Sequence, residues 1–405
     1  MPPTELSRRA LIRWGLIGAG VVALPSVASA CSSSSKSAAS STTAPSSTVA
    51  GGSDELLAAA KREGSLNLIA ISDSEESAYG PLLDSFKASS GLKVNLAEPL
   101  AGSGMEVDTV RKQKGESTQP DVIDVGMSYA IDAANDGLLV RSLPDGWTDV
   151  PSAAKDPDGL WVSSYYGVVG IVSNPALLDG KKPPATPADL KALPKGALGL
   201  PGDPRTTDAA GPLASAVAFA AVWTVALALG GSFDDIGPGI DFFADLADKG
   251  IFDPGKLGIT EVMSSGDVAV TMLNNFDFAR TVAQMAKKGA EAAPEMRIIP
   301  ADSFYPSFYA QCAVKGSPHP SAAQLWLGFL LSDAGARAFL QGGAIPTRFP
   351  ALYAAGTLGA SDLGRVGDLG LTAERLAKQT VPIPAQVDAA QKLVNERWGP
   401  DVKGE

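Results

Sequence analysis

The sequence predicts an α/β protein of two lobes built on mainly parallel sheets. Three observations carry that reading. Short runs of alternating or β-branched residues recur between amphipathic stretches, and strands that alternate with helices build parallel sheets. The composition is globular, 45% hydrophobic and 19% charged over 405 residues, which is long for one core and comfortable for two. The run "GLWVSSYYGVVGIVSNP" at 159–175 is aromatic and β-branched with interior glycines, and it reads as one long strand leaving the first lobe.

Taken in order, "DELLAAAKREG" is an amphipathic helix capped by Asp54 and stopped by Gly64. "SLNLIAIS" alternates and then runs apolar, a strand. "EESAYGPLLDSFKASSG" is helical, with a break expected at Gly80-Pro81 and a stop at Gly91. "LKVNLAEP" is the second strand, "EVDTVRKQKGE" a charged-side helix, "PDVIDVG" the third strand and "YAIDAANDGLL" a helix ending at Gly137. After the long strand, "PADLKALPKG" and the strand "ALGLPGDP" open the second lobe. The stretch from Leu213 to Leu229 has no charge. It is alanine-heavy and has Asp208 before it and Asp234 and Asp235 after it, so a buried helix is expected rather than a membrane span. "GIDFFADLADKG" and "TVAQMAKKGAE" are helices, "VAVTMLN" and "MRIIP" strands, and "SFYPSFYAQCAVKG" a strand returning to the first lobe. A strong helix pair at 319–343 and a mostly helical tail follow, with no internal repeat.

The N-terminal segment reads differently. Arg8, Arg9 and Arg13 precede an uncharged stretch from Gly15 to Ala30, with small residues at its exit. Those are the parts of an export signal. The pair inside "SRRALI" resembles a twin-arginine signal, and "ASAC" resembles the lipobox of bacterial lipoproteins, which implies a lipid anchor on Cys31. Residues 32–52 are nearly all Ser, Thr, Ala and Gly. Such a chain buries too little apolar surface to offset its ordering entropy, so a flexible tether reaching about 25 Å is expected.

Net charge is −11 overall and +2 in residues 1–30, hence −13 for the rest. That acidity argues against a nucleic-acid partner. With Cys31 anchored, Cys312 is left as a lone thiol, and the core must be stable without disulfides. The single histidine, His319 in "SPHPSAA", is expected to cap a helix. One histidine and two unclustered cysteines give no triad or zinc spacing, so no enzyme, metal or cofactor is expected. Spacing does not support a carboxylate-pair glycosidase either. A surface interaction protein would keep the anchor and tether but need no cleft.

The order of segments resembles the type II solute-binding proteins of bacterial ABC importers, near the ferric-iron, polyamine and phosphonate binders. "FKASSGLKVN", "QPDVIDVG", "NDGLLVRSLPD" and "GIVSNP" are similar to successive family motifs. "VKGSPHPSAAQLWLGFLLSDAGARAFLQGGAIPT" resembles the family's proline-histidine-proline helix pair, with Ala336 where Gln is usual. The resemblance covers roughly residues 53–345. It implies the type II periplasmic-binding-protein fold, two α/β lobes joined by crossing hinge strands with the ligand cleft between them. The expected layout is lobe 1 at 53–165 and 306–345, lobe 2 at 166–305, and C-terminal helices at 346–405 bracing both. It also implies a monomer that hands a small solute to a membrane permease.

Ligands of such folds meet loops at the C-terminal ends of strands. In the first lobe these are Asp73, Ser74 and Glu75 after the first strand, Ser103 after the second, and Ser128 and Tyr129 after the third. Tyr166 opens the crossing. In the second lobe they are Thr206, Thr207 and Asp208, and then Asn275, Phe276 and Asp277; Tyr305 lies near the return crossing. The first loops serve equally as helix caps or turns, and the crossing aromatics equally as core. Adjacent tyrosines of iron-binding relatives are replaced here by Asn274, Asn275, Phe276 and Asp277. With a ferric-iron binder using non-tyrosine ligands as the alternative, this points to an organic ligand. Its charge stays open between an amine, met by carboxylates and aromatics, and a phosphate or phosphonate, met by hydroxyls and helix N-termini.

Overall fold

The computed structural model describes residues 53–405 except 74–76, 99–100, 259–262, 264, 290–291, 300–303 and 369. The export signal, Cys31 and the tether lie outside the described residues.

Helix α1 (Ser53–Glu63) ends at Gly64, whose φ of 88° suits a residue without a Cβ. It begins at Ser53, so Asp54 lies inside the first turn, where its charge faces the positive helix end. Strand β1 (Ser65–Ile69) leads to α2 (Gly80–Ser90). Gly80-Pro81 does not break α2 as expected. Proline sits in the first turn, where its missing N–H costs nothing. Then come β2 (Lys93–Ala97), α3 (Ser103–Lys112), β3 (Val122–Gly126) and α4 (Met127–Asn135). The long strand is β4 (Val162–Ser173), buried throughout.

The second lobe follows with α5 (Pro187–Leu190), β5 (Leu198–Leu200), the short α6 (Thr207–Ala210) and α7 (Ala216–Ala228). Ser215 caps α7, accepting from the Ala218 N–H at 3.2 Å. The helix is buried on most of its surface, with Trp223 at its centre. No described helix is long and apolar enough to cross a membrane. Next are α8 (Gly237–Asp248), β6 (Phe252–Leu257), β7 (Val270–Asn274), α9 (Asn275–Lys287) and β8 (Glu295–Ile298). β7 passes into α9 with no loop, so the Asn275–Asp277 segment is a helix N-terminus rather than the loop expected.

Strand β9 (Pro306–Ala313) returns, followed by α10 (Pro320–Leu330), α11 (Asp333–Gln341), β10 (Ile345–Pro346), α12 (Phe349–Ala354), α13 (Ala360–Asp368), α14 (Ala373–Ala377) and α15 (Pro384–Arg397). β1 pairs in parallel with β2 and β3, and β5 with β6 and β7. The pairs made by the crossing strands are antiparallel, β9 with β3 and β4, and β4 with β7 and β8. The sheet is therefore mixed rather than mainly parallel, because the strands that pass between lobes run against their neighbours.

The hand-over is readable in the register of β4. Residues up to Val168 face β9, and Val169–Ser173 face β7. A Cβ at Gly167 would lie 2.6 Å from the Phe276 ring and 2.7 Å from Asn274 Oδ1. Glycine at that turn-over point lets α9 approach the crossing strand. The first-lobe core gathers Leu66, Leu82, Phe86 and Phe339 around Trp326, with the Phe86 and Trp326 rings edge-to-face at 4.9 Å.

Candidate functional site

A cavity of about 400 Å³ opens where the two lobes face each other across the crossing strands. Its first-lobe wall is the turn after β1 (Ser72, Ser77, Tyr79), the first turns of α3 (Gly102, Ser103, Glu106) and Asp124 of β3. Its second-lobe wall is Pro201 and Gly202 after β5, residues 213–217 leading into α7, and Phe276, Asp277, Arg280, Thr281 and Gln284 of α9. Tyr165 of β4 and Tyr309 of β9 make the floor. The walls meet at one side. A Cβ on Gly126 would lie 2.5 Å from the Cβ of Ala216 in the opposite lobe.

The floor is a buried polar network. Asp124 accepts from the Tyr165 hydroxyl at 2.9 Å and also from the Tyr79 hydroxyl and the Gln311 amide. The two tyrosine oxygens are 2.7 Å apart. Burial pushes the Asp124 carboxyl up to about 8, with the Tyr165 hydrogen bond opposing. Glu106 accepts from the Asp124 N–H at 2.8 Å. Burial nonetheless raises it well above the usual carboxylate range. Asp277 is raised by burial too, against the pull of Arg280 at 2.9 Å. Burial, and then nearby carboxylates, push the Tyr165 and Tyr309 phenols well up, so both stay protonated at neutral pH.

The expected contacts divide by place. Ser103, Phe276 and Asp277 line this cleft. Ser103 is buried and accepts from the Gly126 N–H at 3.1 Å, and Phe276 meets the Tyr165 and Tyr309 rings edge-on. Asp73 is exposed and outside the lining. Ser128, Tyr129 and Thr206 line a different cavity, of about 300 Å³, between α3, α4 and α15. Three residues are packing rather than lining. Tyr166 is buried with its ring against Phe308 at 5.2 Å, because alternate strand residues face opposite ways. Tyr305 stacks on Trp223 of α7 at 4.7 Å. Asn275 staples the hinge, accepting from the Val168 N–H at 2.8 Å and donating to the Gly343 carbonyl. Ser74 and Glu75, and the side chains of Thr207 and Asp208, lie outside what the structure describes.

Tyr165 and Tyr309 are among the crossing aromatics that the sequence offers as contacts or core, whereas residue reasoning did not select Tyr79, Glu106, Asp124 or Arg280. The signal for Asp124 was present as a carboxylate inside the apolar strand "DVIDVG". Nothing local marked its partners, which come from distant segments. His319 occupies the N-cap position of α10 but does not cap it. Its Nδ1 is 2.9 Å from Asp121 and its Nε2 3.2 Å from the Ser65 hydroxyl. The first free N–H groups of α10, of Ser321 and Ala322, are bonded instead by Glu63 at 2.9 and 2.8 Å. Among the described residues no group of three or more His, Cys, Asp or Glu could hold a metal ion.

No curated protein matches the chain. Solved structures do. The periplasmic binding protein AfuA of Actinobacillus pleuropneumoniae, with fructose-6-phosphate bound, is 19% identical with a TM-score of 0.56, covering 84% of this chain and 99% of its own. Iron-bound HitA of Pseudomonas aeruginosa is 18% identical with a TM-score of 0.52, covering 82% and 99%. The GacH receptor of Streptomyces glaucescens, seen unliganded and with acarbose, is 15% identical with a TM-score of 0.58, covering 84% and 94%. These likenesses share the type II binding-protein fold of two α/β lobes. The family model for bacterial extracellular solute-binding proteins matches residues 82–357. With more than half its length so matched, the chain belongs to the bacterial extracellular solute-binding proteins.

Proposed function

We propose that the interlobe cleft captures a small organic solute bearing a protonated amine, polyamine-like in chemistry. One observation carries this reading. Among the described lining residues, Glu106, Asp124 and Asp277 face a single cation, Arg280, and that cation is already paired with Asp277. Desolvated carboxylates of this kind are stabilised by an incoming ammonium, through charge-assisted hydrogen bonds, and Tyr309 and Phe276 supply faces for cation–π contact. The contacts proposed are Ser103, Phe276 and Asp277 together with Tyr79, Glu106, Asp124, Tyr165, Tyr309 and Arg280.

A second reading has its own support. The N-terminal turns of α3 and α7 both border the cleft, and such turns with Arg280 suit a phosphate or phosphonate, as in a sugar phosphate. Ferric iron is disfavoured, because its hard-cation chemistry calls for phenolates and burial holds Tyr165 and Tyr309 protonated.

The lobes we assign are 53–165 with 306–345, and 166–305, braced by 346–405. The protein acts as a non-catalytic monomer. It is exported, held at the outer face of the membrane by a lipid on Cys31, and delivers its solute to a permease. The donors nearest His319 on α10 are taken up by Glu63, which argues against a hydrolytic role for the Ser65–His319–Asp121 chain.

Thermal shift of the purified chain with spermidine, fructose-6-phosphate and ferric citrate tests the ligand class. Spermidine alone raising the melting temperature supports the amine. A response to the phosphate probe alone, or to iron alone, overturns it, as does chemical turnover of the bound probe. Metabolic labelling with palmitate, lost on Cys31→Ser, tests the anchor.

A further inference from the structure

The second cavity is separate from the cleft. None of its lining residues is shared with the interlobe site. Its walls come from α3 and α4, from Thr206 in the loop before α6, and from α15. At its floor lies Ser128 in the first turn of α4, 7% exposed, and among the described residues its hydroxyl has no hydrogen-bond partner. An unpaired hydroxyl at that depth forgoes a hydrogen bond that water or a ligand would supply.

The rest of the lining narrows the chemistry. Asp132, Asp136 and Asp388 face two cations, Arg111 and Lys392. Arg111 is already committed to Asp108 at 3.2 Å and to Asp136. The carboxylates outnumber the cations, which disfavours an anionic guest. Thr206, Gln391 and Asn395 are bonded to one another and to the loop, which leaves the Gln391 amide oxygen as an acceptor, one Asn395 N–H and the Thr206 hydroxyl proton as donors, and the Ser128 hydroxyl as both. A hydroxyl group of a guest also does both, so a molecule carrying several is matched by such a lining. The volume of about 300 Å³ is at the lower end for small-ligand sites.

We propose that this cavity is a second solute site, for a small neutral polyol, distinct from the cleft that serves transport. Ser128 is its central contact, with Gln391 and Asn395 on α15 opposite.

Ligand-observed NMR titration of the purified full chain with xylitol tests it, with myo-inositol as a bulkier probe. The expected result is saturable xylitol binding, weakened at least about tenfold by Ser128→Leu, which fills the floor, and changed less than about twofold by Asp277→Asn in the cleft. If circular dichroism shows Ser128→Leu unfolded, Asn135→Trp on the exposed rim closes the mouth and carries the same expectation. No saturable signal with either polyol overturns the proposal. So does binding that survives both cavity variants, or binding lost in Asp277→Asn while the cavity variants retain it.

Discussion

Asp124 gathers the polar chemistry of the cleft floor, taking hydrogen bonds from Tyr79, Tyr165 and Gln311. Its pH behaviour follows from burial. In the unfolded chain it titrates near the ordinary aspartate value of about 4; in the fold it is pushed up to about 8. Between those values the native state binds the extra proton, so stability is fullest below about pH 4 from this group and falls as pH rises toward 8. The slope expected is at most about 1.4 kcal/mol per pH unit. Glu106, also raised by burial, acts in the same direction. Urea unfolding at pH 5 and pH 8 should therefore show lower stability at pH 8, and Asp124→Asn should flatten the difference. An unchanged slope in that variant would place the titration elsewhere. Gly126 makes a second prediction. Its φ of −56° is open to any residue, so only space argues for glycine there. Carbon atoms rest at about 3.5–4 Å, and a Cβ would meet that of Ala216 at 2.5 Å. Gly126→Val should leave the lobes folded but hold them apart, weakening solute binding at least about tenfold by calorimetry with little change in melting temperature.

The helix α15 works through the loop it ties down. Gln391 donates to the Pro204 carbonyl at 2.9 Å. Asn395 accepts from the Thr206 N–H at 2.9 Å and donates to its hydroxyl at 3.1 Å. Asn395→Ala leaves that N–H without its partner, a loss of about 1–3 kcal/mol, while Asn395→Asp keeps the acceptor and should lose less. Differential scanning calorimetry ranks the two, and equal destabilisation would contradict the N–H as the seat of the effect. Elements of this kind differ in how far their sequence announces them. The crossing strand was legible in 159–175 because a run that long, aromatic and β-branched fits little else. The α10–α11 pair was legible from its apolar period. The start of α9 was not, because β7 runs directly into the helix with no loop between them, and the Asn274 at its N-cap position makes no side-chain capping bond. The site was less legible still. Ser103, Phe276 and Asp277 sit where strand ends lead, but Tyr79, Tyr165 and Gln311 reach Asp124 from separate strands and turns, and that meeting exists only in three dimensions.

Between the lobes, closure is a matter of linkage. Among the described strands only β4 pairs on both sides of the hand-over, with β9 up to Val168 and with β7 and β8 beyond it, so the lobes are joined through a narrow seam at Val168–Val169 and by the packing of α15. A solute that touches Tyr79 and Glu106 on one side and Asp277 and Arg280 on the other binds the closed arrangement better than an open one, and shifts the population by that difference in affinity. It also stabilises the fold against unfolding, by about 2.7 kcal/mol at one hundred times its dissociation constant. For a chain of this size that corresponds to a rise in melting temperature of about 4 °C. Solution scattering and calorimetry on the same sample test the two consequences together. The amine ligand should reduce the radius of gyration and raise the melting temperature, and Asp277→Asn should diminish both. A solute that stabilises the fold without contracting the particle would mean that the cleft is already shut in its absence, and that capture proceeds by entry into a closed cavity rather than by closure over the guest.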